Sequence, residues 1–113
     1  LVVDRYVDFE DSVTYLNADW TTDSFKMEIR EDWNGGTLVF TLESPADIIV
    51  SGDSTYTTLT LSISKENMAA FPFAINQSDT KILVFDIVKT DSVSSKEMVC
   101  ARGEIELRPG STQ

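Results

Sequence analysis

The sequence predicts an all-β fold, a single antiparallel β-sandwich rather than a small barrel. Apolar and polar residues alternate with a period of two along most of the chain, and these segments are rich in Val, Ile, Thr and aromatic residues. About seven such segments follow one another at spacings of roughly ten residues, which is typical of sandwiches. A chain of 113 residues has room for one domain. We therefore expect one sandwich over residues 1–108 and a flexible tail at 109–113.

In the first half of the chain, predicted strands alternate with turn signals. The clearest strand is Ser24–Arg30, where every second residue is apolar and the residues between them are charged. The turn signal Asn34-Gly35-Gly36 follows, so this strand and the next are expected to form a hairpin. Gly52-Asp53 is expected to turn the chain again. The predicted strands are Arg5–Glu10 with a continuation at Val13–Leu16, Ser24–Arg30, Thr37–Leu42, Asp47–Ser51 and Tyr56–Ser62.

One segment breaks the period and predicts a short helical crossover near 65–71. Ser64 stands at a possible N-cap, good helix formers follow it, and Pro72 ends the segment. One or two helical turns are not stable alone, so the segment should pack on a sheet edge or across the end of the core through Met68 and Phe71.

The last two predicted strands carry most of the remaining apolar residues. Lys81–Thr90 has apolar residues on both faces and is expected at the centre of a sheet. Lys96–Arg108 places apolar or small residues on one face, while its other face changes from apolar to charged along the strand. The residues expected to share the first face are Val99, Ala101, Gly103, Ile105 and Leu107.

Charge and composition limit the functions open to the chain. Nine Lys and Arg against nineteen Asp and Glu give a net charge of −10, which repels phosphate backbones and anionic lipids. No apolar stretch approaches the roughly 20 residues that span a bilayer. Neither a nucleic acid nor a membrane is therefore expected as a partner. There is no His, and the single Cys100 lies in an apolar run where a structural role is expected.

Acidic residues are plentiful, but they do not form a recognisable catalytic or metal-binding motif. They fit a solvated surface, and neither an alternating calcium loop nor a Gly-rich phosphate loop is present. A serine nucleophile would have no histidine to activate it. We expect no enzymatic activity, no cofactor and no specific metal site. The acidic groups considered are Asp8, Glu10 and Asp11, Asp19 and Asp23, and Glu104 and Glu106.

The two tryptophans are the candidate interaction residues. Trp20 follows a polar stretch and Trp33 precedes the Asn-Gly-Gly turn, so either ring could lie exposed in a loop and stack on a sugar or anchor a protein. The alternative is that each ring caps one end of the core. The second interpretation is favoured because large rings are mostly buried.

Four short motifs occur in order along most of the chain, and together they resemble a known family. They are Phe25–Arg30, Leu59–Ile63 with Met68–Phe71, Val84–Ile87 and Ala101–Leu107. Their order is similar to that of small β-sandwich proteins of tailed bacteriophages, in particular the immunoglobulin-like N-terminal domain of phage upper-baseplate proteins, with Phe85 in place of the more usual Tyr. The resemblance implies an immunoglobulin-like sandwich that performs no chemistry and binds other virion proteins through sheet edges and loops.

Structural roles can be expected for several residues within these motifs. Asp86 lies between apolar neighbours on a central strand, so its carboxylate should either reach a solvated face or pair with Arg30 or Arg102, and a partner is expected. Gly103 in the last strand indicates a bulge or a close approach of the backbone to a neighbour.

The resulting hypothesis is a virion structural protein of a tailed phage, an adaptor in the tail, the baseplate or a fibre attachment. It would be present in several symmetric copies and would bind neighbouring virion proteins whose surfaces are relatively basic, because a charge of −10 per copy otherwise repels. Two alternatives remain open: a capsid decoration (cement) protein, and a carbohydrate-binding domain that uses Trp20 or Trp33.

Overall fold

The computed structural model shows an all-β chain folded as two antiparallel sheets packed face to face. It describes residues 2–4, 9–33, 36–64, 66–67, 71 and 81–108. The predicted fold class, a single antiparallel β-sandwich, is confirmed. The described strands are β1 (Val2–Asp4), β2 (Phe9–Leu16), β3 (Ser24–Arg30), β4 (Leu38–Glu43), β5 (Ile48–Asp53), β6 (Tyr56–Ile63), β7 (Lys81–Thr90) and β8 (Glu97–Arg108).

The strand order is that of an immunoglobulin-like domain. The larger sheet has the order β1-β8-β7-β3-β4 and the smaller one the order β2-β6-β5. The trios β8-β7-β3 and β2-β6-β5 correspond to strands G-F-C and B-E-D of immunoglobulin domains. Neighbouring strands run antiparallel except β1, which pairs in parallel with β8. With one cysteine in the chain, the disulfide that joins the sheets of antibody domains cannot form, so apolar packing holds them together.

Strand prediction succeeded where the alternation was strict. The predicted hairpin is formed by β3 and β4, with Met27 opposite Leu42 and Ile29 opposite Phe40. The predicted central strand, β7, lies between β3 and β8. At the start of the chain the boundaries differ, because one strand, β2, covers Phe9–Leu16. The expected strand residues 5–8 and the expected tail at 109–113 lie outside the described residues.

The core consists of the inward-facing residues of both sheets. In β6 every second residue from Thr57 to Ile63 is buried, and in β3 the same holds from Phe25 to Ile29. This is the pattern of strands with one buried face and one solvated face. The apolar side chains with at most 3% exposure in this core are Phe25, Met27, Ile29, Leu42, Ile48, Leu59, Leu61, Ile63, Leu83, Ile87, Ile105 and Leu107.

The predicted helical crossover lies mostly outside the described residues. At its start, the Asn67 N–H donates a hydrogen bond to Ser64 Oγ at 3.3 Å, which is the contact of a helix N-cap. At its end, Phe71 is buried and its ring centre lies 5.6 Å from that of Phe40 on β4. Phe71 therefore packs on the core as expected. No helix within the described part of the chain is long and apolar enough to cross a membrane.

A bulge in β8 reverses its side-chain pattern. Ile87 pairs with Ala101 but Val88 pairs with Val99, so Cys100 is an extra residue on β8. Val99 consequently lies opposite Val88 and is 48% exposed, whereas Ile105 and Leu107 are buried. The prediction that Val99 shares a face with Ile105 and Leu107 is wrong, because one inserted residue moves the preceding side chains to the other face.

One end of the sandwich is closed by an ion pair beneath Trp20. Lys89 Nζ lies 2.9 Å from Asp23 Oδ2 and 5.4 Å from the centre of the Trp20 ring. The other oxygen of Asp23 accepts a hydrogen bond from the Ser92 N–H at 2.9 Å. The side chains of Lys89 and Asp23 are only 9% and 8% exposed. The pair therefore joins the start of β3 to the end of β7 and to the loop that follows it.

This ion pair should make stability depend on pH. Burial alone would raise the pKa of Asp23, but hydrogen bonds from Lys89 and Ser92 and the Lys89 charge hold it below the ordinary value of 3.8. Because the folded pKa is the lower one, the stabilisation is complete above the unfolded pKa and is lost as pH falls through the folded pKa. In urea unfolding, the free-energy difference between wild type and Asp23→Asn should shrink below about pH 4.

A reference variant tests the cause of this pH dependence. In a Lys89→Met background the carboxyl loses the hydrogen bond and the charge that lower its pKa, while the burial that raises it remains. In that background the free-energy difference made by Asp23→Asn should therefore no longer shrink as pH falls below about 4. A free-energy difference between wild type and Asp23→Asn that stays constant from neutral pH to about pH 3 would contradict the prediction.

Candidate interaction surfaces

The two tryptophans lie in different environments. Trp20 packs into the end of the core, with its ring centre 4.9 Å from that of Tyr15 and 6.5 Å from that of Phe25. The backbone N–H of Trp20 donates to Thr57 Oγ1 at 2.9 Å, and that hydroxyl donates in turn to the Ala18 carbonyl. Trp20 thus caps one end of the core, as predicted. Trp33 does not, because it is 48% exposed.

Trp33 borders a shallow depression on the outer face of the five-stranded sheet. We call it the Trp33 depression; its volume is about 330 Å³. It brings together four residues that the sequence analysis singled out for other reasons, namely Arg30, Phe85, Asp86 and Arg102. The full lining is Glu28, Arg30, Asp32, Trp33, Val84, Phe85, Asp86 and Arg102.

Charged side chains in the Trp33 depression stand in register across three strands. Asp86 on β7 lies opposite Glu28 on β3 and opposite Arg102 on β8. Arg30 pairs with Glu28, with 3.2 Å between Nη2 and Oε2. The Arg102 guanidinium lies 5.4 Å from the centre of the Trp33 ring. The depression therefore presents carboxylates and guanidinium groups beside one exposed indole ring.

The expected ion pair between Asp86 and an arginine is not formed within the described part of the chain. Arg30 pairs with Glu28 instead, and Arg102 lies over Trp33. Asp86 is only half-buried, on the outer face, so the carboxylate does not need a cation to compensate for lost solvent. The Asp86 carboxylate therefore reaches the solvated face of the sheet, which was the other possibility that the sequence left open.

Gly103 makes room for the ring of Phe85. The two residues pair across β7 and β8, and a Cβ atom at Gly103 would lie 3.0 Å from Cε1 of Phe85. The expected close approach is therefore present. The bulge that was the other expectation for Gly103 lies at Cys100 instead.

Cys100 is tied into the interface between the two sheets. The Tyr15 hydroxyl donates to the Cys100 carbonyl at 2.8 Å, and the Cys100 thiol donates to the Ile87 carbonyl at 3.4 Å. Burial is the main cause that raises the pKa of both Tyr15 and Cys100, so the thiol remains protonated at neutral pH. This environment agrees with a structural cysteine.

The outer face of the smaller sheet is a second, very different surface, which we call the hydroxyl face. Its outward residues form three rows across β2, β6 and β5. In the middle row the hydroxyls of Thr14 and Thr58 are hydrogen-bonded at 2.9 Å. The rows are Ser12–Thr60–Ile49, Thr14–Thr58–Ser51 and Leu16–Tyr56–Asp53.

The hydroxyl face is almost uncharged although the chain carries −10. Its charged residues lie at its two ends: Glu10, opposite Ser62, and Asp53, whose carboxylate accepts hydrogen bonds from the backbone and side chain of Thr55. Large apolar side chains stand on it exposed: Leu16 at 77% and Ile49 at 51%. This surface was not predicted from the sequence, because Ser and Thr residues in three separate strands form one patch only once the register of the strands is known.

Neither metal ligands nor relatives give a further indication of function. Among the residues that the structure describes, no group of three or more His, Cys, Asp or Glu is placed to hold a metal ion. Comparison with protein-family models found no family that matches the chain, and comparison with curated protein sequences found no relative.

Proposed function

We propose that this chain is a non-enzymatic structural protein of a tailed-phage virion, an adaptor of the tail, the baseplate or a fibre attachment that binds neighbouring virion proteins. The order of the four sequence motifs supports the phage assignment. The hydroxyl face is the observation that carries the adaptor role, because a nearly uncharged patch with exposed Leu16, Ile49 and Tyr56 is suited to protein contact.

The charge distribution defines the partner surface that would fit. The centre of the hydroxyl face carries hydroxyl and apolar groups, whereas Glu10 lies beyond one end of the rows and Asp53 at the other. A complementary surface would be uncharged at its centre and basic at its rim. Attraction between the rims would make association faster at low salt, while the centre would supply most of the affinity.

The proposal is tested by expressing the chain together with the proteins encoded next to it in its own genome. We expect a complex with a tail, baseplate or fibre protein on size-exclusion chromatography, weakened at high salt. A complex with a capsid protein would favour the decoration alternative instead. If none of the neighbouring proteins binds, or if they are metabolic enzymes, the proposal fails.

A substitution in the middle of the hydroxyl face should weaken this complex strongly. Thr14→Lys breaks the hydrogen bond between the two threonine hydroxyls and buries a cation against the uncharged centre of the partner surface, so affinity should fall at least about tenfold. Thr37→Lys, an exposed residue outside both sheets, makes the same change of charge and is the matched control. Equal affinities of the two variants, measured by calorimetry, would show that another surface binds the partner.

A further inference from the structure

The Trp33 depression has the components of a small-molecule site. It is separate from the hydroxyl face, since the two surfaces are the outer faces of different sheets. Val84, only 7% exposed, contributes to its floor, and Trp33 stands beside it with about half of its surface accessible. Its volume of about 330 Å³ is at the lower end of the range for ligand pockets.

The charges around Trp33 select the class of ligand. An anion would be attracted by Arg30 and Arg102 but repelled by three carboxylates, those of Glu28, Asp32 and Asp86. A cation would be attracted by the carboxylates but repelled by the two guanidinium groups. A neutral polyol has hydroxyl groups that both donate and accept, so the carboxylates and the guanidinium groups can all be used.

Asp86 is the acceptor that a ligand can reach. Its carboxylate has no ion pair within the described part of the chain, and it lies in register beside Arg102, which offers donors. Glu28 is already engaged by Arg30. Asp86 and Arg102 therefore present an acceptor and a donor side by side, next to the ring of Trp33. Neighbouring hydroxyl groups on a sugar can bind such a pair.

We propose that the Trp33 depression binds a neutral sugar residue of a glycan, with an apolar face of the sugar against the exposed part of the Trp33 indole that Arg102 does not cover, and with its hydroxyls hydrogen-bonded to Asp86 and Arg102. This assigns glycan contact to Trp33 alone, since Trp20 is packed between Tyr15 and Phe25. The proposal does not depend on the assembly role of the hydroxyl face.

The test is a titration of isotope-labelled protein with neutral oligosaccharides of glucose, galactose, mannose and N-acetylglucosamine, followed by NMR. The two indole N–H signals report Trp20 and Trp33 separately. We expect at least one oligosaccharide to shift the Trp33 signal and to leave that of Trp20 in place. Trp33→Ala should abolish binding, and Asp86→Asn should weaken it about tenfold. Tyr56→Ala, which removes an exposed aromatic ring from the other sheet, is the matched control and should bind as wild type does.

Three outcomes would overturn this proposal. One is that no oligosaccharide in the panel shifts the Trp33 signal at millimolar concentration. Another is that Asp86→Asn, which retains the shape of the depression, binds as tightly as wild type. The third is a response to inorganic phosphate or to an arginine-containing peptide without a response to the sugars. None of them bears on the complex through the hydroxyl face, which Thr14→Lys tests separately.

Discussion

Replacing Lys89 with methionine should lower the free energy of unfolding by about 3 kcal/mol. The methionine keeps the apolar stem against Trp20 but removes the charge 2.9 Å from Asp23 Oδ2. The carboxylate, 8% exposed, is then left without a cation. Because the pair lies at the end of the sandwich beside a loop, we expect a cost at the lower end of the range for buried pairs. Urea unfolding at neutral pH measures it.

Two further variants identify the cause of this loss. Lys26→Met removes an exposed lysine from the outer face of β3 and should change stability by less than about 0.5 kcal/mol. Adding Asp23→Asn to Lys89→Met removes the uncompensated charge while an oxygen remains to accept from Ser92, so the double variant should cost less than the sum of the single ones. Strict additivity, or a Lys89→Met variant as stable as Lys26→Met, would show that the ion pair does not stabilise this end.

Replacing Gly52 with alanine should cost about 3 kcal/mol, the upper end of the range for a strained backbone position. Gly52 has a φ of 135°, and a Cβ atom there would lie 2.3 Å from the Tyr56 carbonyl oxygen. That oxygen belongs to the neighbouring strand backbone, so relief requires the β5–β6 hairpin to shift. The turn predicted at Gly52-Asp53 lies two residues further on, at Ser54-Thr55, because Gly52 and Asp53 are the last residues of β5.

Two other alanine substitutions should each cost less than the one at Gly52. Ser54→Ala, in the turn of the same hairpin, should be within about 0.5 kcal/mol of wild type. Gly103→Ala should be intermediate, about 1 kcal/mol, because the atom 3.0 Å away belongs to the ring of Phe85 rather than to the backbone. Thermal unfolding followed by circular dichroism ranks the three variants. A Gly52→Ala variant as stable as Ser54→Ala would be incompatible with this hairpin geometry.

The candidate surfaces differ in how far the sequence could predict them. Arg30, Asp86 and Arg102 were selected from their motifs, and the structure does bring them into one depression. Their pairing was not predictable, because Glu28, two residues from Arg30 on the same strand, takes the place expected for Asp86. The different positions of Trp20 and Trp33 were not predictable either, since both follow or precede polar residues in the sequence.

The sequence by itself determined the all-β class, the central position of β7 and the hairpin of β3 and β4. These follow from alternation and turn residues, which are local properties of the chain. Only the tertiary structure decided the hydroxyl face, the bulge at Cys100 and the ion pair of Lys89 with Asp23, residues 66 positions apart. The physical reason is that a period of two specifies which side chains share a face of one strand, whereas strand order and register decide what stands beside them.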